Sequence, residues 1–219
     1  MRQLLSAMEY LSNKEIIHRD LKLENILINY EDENDRKNNN IMKATIKLMD
    51  FGFAKHLKKG DLTHSIIGNP LNMSPIILNK LLQNPEYKDV GYDEKEDVWS
   101  IGSICYDLLI GKSPFDSEKI EELSQKINEG NYYLPITLSK ETISFLRSML
   151  KFDSNKRLSY CGLINHQFLK KNVSEFHKIE LDVLKNVTNK DKAELLVNTK
   201  NDENCSLIFK IDPKKIFDL

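Results

Sequence analysis

Eight residues near the start of the chain, His18-Arg19-Asp20-Leu21-Lys22-Leu23-Glu24-Asn25, restrict what the rest of it can fold into. An Asp, a Lys and an Asn at this short spacing make a loop that can deprotonate a hydroxyl, steady a phosphate and hold a metal ion. Its companion is Asp50-Phe51-Gly52, an Asp beside a Gly that lets the backbone turn tightly. The two segments share chemistry only in a fold that brings them together.

Apolar periodicity supplies the frame. Leu4, Met8 and Leu11 recur at helical spacing, so residues 1–13 read as an amphipathic helix. Ile16-Ile17 lead into the loop. Ile26-Leu27-Ile28 read as a short buried strand after it, and Ile46-Lys47-Leu48-Met49 as its hairpin partner running into Asp50. The polar run from Glu31 to Asn40 has nothing to bury and reads as a mobile insertion. From Gly52 to Pro75 apolar anchors are few, and the chain reads as a long loop of the kind that is usually functional. Residues 97–110 form a strongly apolar helix, ended by Gly111 with Pro114 following. Residues 117–129 form another, with Ile120, Leu123 and Ile127 inward and Gly130 as the stop. Ser139 is the N-cap of a third that carries Ile143, Leu146 and Leu150, and residues 158–168 close the helical set. Beyond Asn172 the composition turns to Asn, Lys and Asp. Residues 172–219 read as a polar tail of unknown role, with one helix over 175–185 and one strand over 205–211.

The 219 residues carry a net charge of −1 and are 40% hydrophobic, enough for one globular domain with a real core. A nearly balanced charge calls for neither nucleic acid nor an anionic membrane as partner. No apolar run is long enough for a transmembrane helix, and the N-terminus lacks the pattern of a signal peptide. Cys105, Cys161 and Cys205 are odd in number and far apart, which points to a reducing cytoplasmic compartment. The five His are scattered without metal-ligand spacing.

The loop at 18–25 followed by Asp50-Phe51-Gly52 resembles the catalytic and metal-binding loops of eukaryotic protein kinases of the serine/threonine type. The resemblance covers residues 1–171. Asp97-Val98-Trp99-Ser100-Ile101-Gly102 and Gly111-Lys112-Ser113-Pro114-Phe115 also fit, and the overall flavour is similar to the unc-51-like autophagy kinases. It implies a protein-kinase-like α+β fold, here the mainly helical C-lobe with a small β-hairpin at the catalytic loop. It implies ATP and Mg²⁺ as cofactors and a protein Ser or Thr hydroxyl as acceptor. By the same resemblance Asp20 takes or orients the hydroxyl proton, Lys22 lies against the transferring phosphate, Asn25 and Asp50 hold Mg²⁺, and Leu27 meets the adenine ring. His18 and Phe51 stack in the core beneath the site. Asp97 caps a buried helix and accepts from the loop backbone. Arg19 beside Asp20 implies control by an activation-loop phosphate, on Ser65 or alternatively Thr63.

Three residues depart from the family pattern. Asn69 replaces a Thr or Ser, Asn72 a Tyr, and Ile76 a Glu that normally pairs with an Arg, here Arg157. Losing one partner of a buried pair costs roughly 3–5 kcal/mol, so the chain either supplies another carboxylate, with Glu94 and Glu96 as candidates, or leaves Arg157 facing water. No Gly-rich phosphate loop occurs in the sequence, and the catalytic loop arrives at residue 18. The small N-lobe is therefore expected to be absent, with an apolar surface left open around Leu27. The expectation is a kinase fragment, active when an N-lobe or kinase partner completes it; the alternative is an inactive kinase-like binding or scaffold protein.

Overall fold

The computed structural model describes residues 1–135 and 137–170. The polar tail at 172–219, with its expected helix and strand, lies outside the described residues. The chain opens with α1 (Arg2–Asn13), β1 (Ile16–Ile17), β2 (Ile26–Asn29), α2 (Glu33–Lys37), β3 (Thr45–Leu48) and β4 (Lys55–His56). It continues through α3 (Pro75–Leu81), α4 (Lys95–Ile110), α5 (Ile120–Glu129), α6 (Lys140–Met149), α7 (Tyr160–Ile164) and α8 (Gln167–Lys170).

The core is built by the helical stripes. Leu4, Leu5 and Met8 of α1, Ile101, Ile104 and Cys105 of α4, and Phe145, Leu146 and Met149 of α6 are all buried. α4 crosses α6, α1 lies on α7 and β3, and α3 packs on α5. The closest approach of α4 to α6 needs a residue without a side chain. A Cβ on Gly102 would stand 2.9 Å from Met149 Cβ and 3.0 Å from Leu150 Cγ. Trp99 stacks on Phe115 with ring centroids 5.7 Å apart, which fastens the far wall of α4.

Helix ends follow local chemistry. Gly111 and Gly130 stop α4 and α5 at φ 82° and 68°, conformations that cost a side-chain-bearing residue energy. The Ser139 hydroxyl accepts from Thr142 N–H and starts α6.

Several sequence expectations need correction. The polar run read as a mobile insertion carries a helix: the Asp32 side chain accepts from Asn34 and Asp35 N–H and nucleates α2, although no residue of α2 is buried, as expected of a run with nothing to bury. The segment after Gly52 contains β4, which pairs antiparallel with β1, Ile16 opposite His56. α3 was not legible, because its seven residues follow Ser74 and Pro75 and give too short a window for periodicity. The helix expected from 117 begins at Ile120, and the one expected over 158–168 is broken into α7 and α8.

Packing at Gly102 pits two effects against each other. Gly102→Ala improves helix propensity by up to about 1 kcal/mol, while overpacking in a filled core costs roughly 1–3 kcal/mol. Because the clash is with Met149 Cβ, which moves only with the α6 backbone, a net loss of about 1 kcal/mol is expected by urea denaturation. A gain in stability would show that α6 shifts freely.

Candidate active site

The loop at 18–25 is held from below by one carboxylate. His18 N–H donates to Asp97 Oδ2 at 2.8 Å and Arg19 N–H to Asp97 Oδ1 at 2.9 Å. Asp97 is 3% exposed, and burial pushes its carboxyl up while the two backbone bonds pull it down. It does not cap the helix as expected. It lies in the first turn of α4, with Glu94 at the cap position, so both its oxygens are available to the loop. Arg19 sits at φ 70°, a left-handed conformation that costs a non-glycine residue energy. The grip of Asp97 on the amides of His18 and of Arg19 itself anchors the bend.

This bend turns Asp20 toward Lys22 and Asn25. Lys22 Nζ lies 3.0 Å from Asp20 Oδ2, and the bond raises the lysine's pKa. Asn25 Nδ2 donates to Asp20 O at 2.8 Å and to Oδ2 at 3.3 Å. These side-chain bonds fall on Oδ2. Oδ1 turns toward Gly68, where a Cβ would stand 3.8 Å from it and 3.0 Å from Arg19 O. Gly68, at φ 115°, thus lets the following segment approach the loop.

The hairpin brings in Asp50. β2 and β3 pair antiparallel with Ile26 opposite Leu48, and Met49 N–H donates to Asn25 O at 2.9 Å. His18, fully buried, bonds Met49 O through Nε2 at 3.1 Å. Asp50 follows at φ 58°, its Oδ1 accepting from Gly52 N–H at 3.2 Å, and its charge reaches Lys22. A Cβ on Gly52 would stand 3.1 Å from that Oδ1. Asp20, Lys22, Asn25 and Asp50 therefore share one face. Leu27, in β2, is half-buried. Phe51 contacts the His18 ring at 5.0 Å but is 46% exposed and so is not in the core. Its outer face, with Met49 and Phe53, stays open to solvent.

The donor set suits a hard cation. Asn25 spends its amide nitrogen on Asp20 and keeps its oxygen, and Asp50 is exposed with one backbone bond. Among the described residues there is no cluster of three or more His, Cys, Asp or Glu for a closed metal cage. Two oxygen side chains fit Mg²⁺, which keeps several waters or phosphate oxygens. Cys105 is excluded as a nucleophile, since burial pushes its thiol up to about 12.

The segment after Asp50 is tied down by Lys55, Tyr92 and Ser100, which the sequence did not single out. Thr63 pairs its backbone with Tyr92, and Lys55 Nζ donates to its Oγ1 at 2.9 Å. Thr63 is 1% exposed and cannot be reached, so the alternative phosphosite is set aside; Ser65 is exposed. The Tyr92 hydroxyl donates to Ser65 O at 2.5 Å. Asn69 Oδ1 accepts from Leu71 N–H at 3.0 Å, and Ser100 Oγ donates to Asn72 O at 2.8 Å.

Arg157 takes Glu96, not Glu94, as its carboxylate. Nη1 lies 3.0 Å from Glu96 Oε1, and both side chains are buried. Burial pushes the Glu96 carboxyl up to about 7, with Arg157 pulling the other way. Because this exceeds the ordinary 4.5, Glu96 favours the folded state most fully below pH 4.5. That contribution is lost as pH rises through about 7, by up to roughly 3 kcal/mol. Urea denaturation across pH 4.5–8 tests this. Glu96→Gln keeps an acceptor for Arg157 and removes the titration, so its stability should fall less over that range than wild type. Parallel curves would assign the pH dependence to other groups.

Comparison with known proteins agrees with this geometry. Residues 1–169 match the model of the protein kinase domain. The chain is 31% identical over 178 residues to the serine/threonine-protein kinase atg1 of Dictyostelium discoideum, covering 81% of this chain and 24% of that protein. It is 35% identical to the serine/threonine-protein kinase ULK3 of Xenopus laevis, covering 77% and 33%. It is 34% identical to myosin light chain kinase A of D. discoideum, covering 80% and 54%. The chain thus spans about a quarter to a half of these relatives, and over its first 169 residues it belongs to the protein kinase family.

Proposed function

We propose that this chain supplies the base, the phosphate-facing lysine and the metal ligands for transfer of the ATP γ-phosphoryl group to a protein Ser or Thr hydroxyl. The observation that carries the reading is the network of Asp20, Lys22 and Asn25 beside Asp50. Phosphoryl transfer needs little covalent work from a protein, only positioning and neutralisation of charge. Asp20 receives the substrate proton on Oδ1, because Oδ2 is engaged by Lys22 and Asn25. Lys22 stays protonated through its bond to Asp20 and leans toward the transferred phosphate. Asn25 and Asp50 hold Mg²⁺ through oxygen, which when bound neutralises phosphate charge. Leu27 forms the floor under the adenine. Arg19, whose Nε donates to Phe53 O at 2.6 Å and whose Nη1 is buried without a partner, receives a phosphate carried by Ser65.

The opposite wall of the phosphate site comes from a small lobe with a Gly-rich loop and a Lys, on this polypeptide or another. The exposed surface of Met49, Phe51 and Phe53 supports this. A cytoplasmic location accords with the scattered cysteines, and no described helix is long and apolar enough to cross a membrane. One observation favours the second reading, an inactive binding or scaffold protein. Asn69, where the family has a hydroxyl, spends its side-chain oxygen on Leu71 N–H.

The test is transfer of radiolabelled phosphate from ATP to a Ser/Thr peptide mixture. The 219 residues alone should give negligible transfer. Joined to an upstream small lobe they should give Mg²⁺-dependent transfer, which Asp20→Asn lowers by roughly 10²–10⁴. Asp50→Ala should abolish this Mg²⁺-dependent transfer. Equal rates for wild type and Asp20→Asn would remove Asp20 from the mechanism. Nucleotide binding without transfer would support the scaffold reading.

A further inference from the structure

Ile76 stands where the family resemblance puts a Glu; it packs against the core and offers no charge to Arg157. Arg157 is instead clamped to the first turn of α4. Its Nη1 donates to Lys95 O at 2.8 Å and to Glu96 Oε1 at 3.0 Å, and Lys95 Nζ donates back to Arg157 O at 2.8 Å. Its Nε and Nη2 reach Lys151 O at 2.9 Å and Phe152 O at 3.3 Å. The clamp thus joins α4 to the segment that follows α6. The next residue along α4 is Asp97, whose two oxygens grip the amides of His18 and Arg19. Glu96 Oε2 is buried without a partner, and Glu96 lines a cavity of about 10 Å³ shared with Asp20, Gly68, Asn69 and Asp97. One helical turn therefore carries the Arg157 clamp and the loop's anchor side by side.

We infer that Glu96 is a positioning residue for the catalytic loop: through Arg157 it fixes the turn from which Asp97 holds His18 and Arg19. The purpose of that loop rests on the phosphoryl-transfer reading, but amide exchange reads its geometry without turnover, so the two fail separately. Removing Glu96 leaves a buried guanidinium with carbonyl partners only, and the turn gains freedom that the loop amides report.

The experiment is hydrogen exchange on the full 219-residue chain, comparing the His18 and Arg19 amides with those of α5, which packs on α3 away from the clamp. Glu96→Ala should speed exchange at His18 and Arg19 about ten-fold while α5 stays unchanged. Glu96→Gln, which keeps an acceptor for Arg157, should stay within about three-fold of wild type. Arg157→Lys drops most of the guanidinium bonds and should speed the same two amides about ten-fold, which decides the matter if Glu96→Ala does not fold. Loop amides unmoved in the folded variants, or an equal rise in α5, would overturn the proposal. Loss of folding in both Glu96→Ala and Arg157→Lys would overturn it too, since the pair would then hold the whole domain and not the loop.

Discussion

A carboxylate buried as deeply as Asp97 is costly unless every oxygen is occupied, and here both are filled by main-chain N–H groups of the loop at 18–25. The arrangement stabilises in both directions. The amides make the buried charge tolerable, and the charge keeps Arg19 at φ 70°. A strained backbone residue costs roughly 1–3 kcal/mol, and a hydrogen bond to a charged group contributes roughly 1.5–3 kcal/mol. Two such bonds exceed the strain, so the bend persists. The position of Asp20 follows from that bend, and the bonds to Lys22 and Asn25 follow from the position of Asp20.

Two acids adjacent in sequence, Glu96 and Asp97, are buried by different means. Successive residues on a helix point in directions about 100° apart, so one faces Arg157 and the other faces the loop. Glu96 is compensated by a cation that is itself desolvated, and its Oε2 keeps no partner. Asp97 is compensated first by the backbone N–H dipoles of His18 and Arg19 and then by the charge of Arg19. Burial raises both carboxyls, so the strength of this turn depends on pH in a way that an apolar turn would not.

The residues that meet around Asp20 were legible because they sit in short contiguous motifs with fixed spacing. The long helices α1, α4 and α6 were legible because each buries a periodic stripe. What escaped lacks either property. α3 has seven residues and α2 buries nothing, so no periodicity marks them. The β1–β4 pair is two residues long and joins strands far apart in sequence. Tyr92 and Ser100 act through backbone carbonyls of a distant segment, and such bonds leave no trace in side-chain pattern. Glu94 and Glu96 were both candidates for Arg157, and only helix geometry separates them. Phe51 was assigned to the core from resemblance, whereas its outer face meets solvent.

The site residues differ in how completely the protein satisfies them, and the difference tracks their chemistry. Asp20, the proposed proton acceptor, is gripped through Oδ2 by two side chains and is nearly buried, which suits a group that must be aimed beforehand. Asp50 is exposed and holds a single backbone N–H. A carboxylate that is to meet a hard cation needs free lone pairs, since Mg²⁺ binds through oxygen and surrenders its waters reluctantly. Had the protein filled both oxygens of Asp50 as it fills those of Asp97, the residue would be rigid and useless to a metal. The same local turn at φ 58° leaves Asp50 exposed and Phe51 open to solvent, so the open apolar face and the proposed metal ligand have one structural cause.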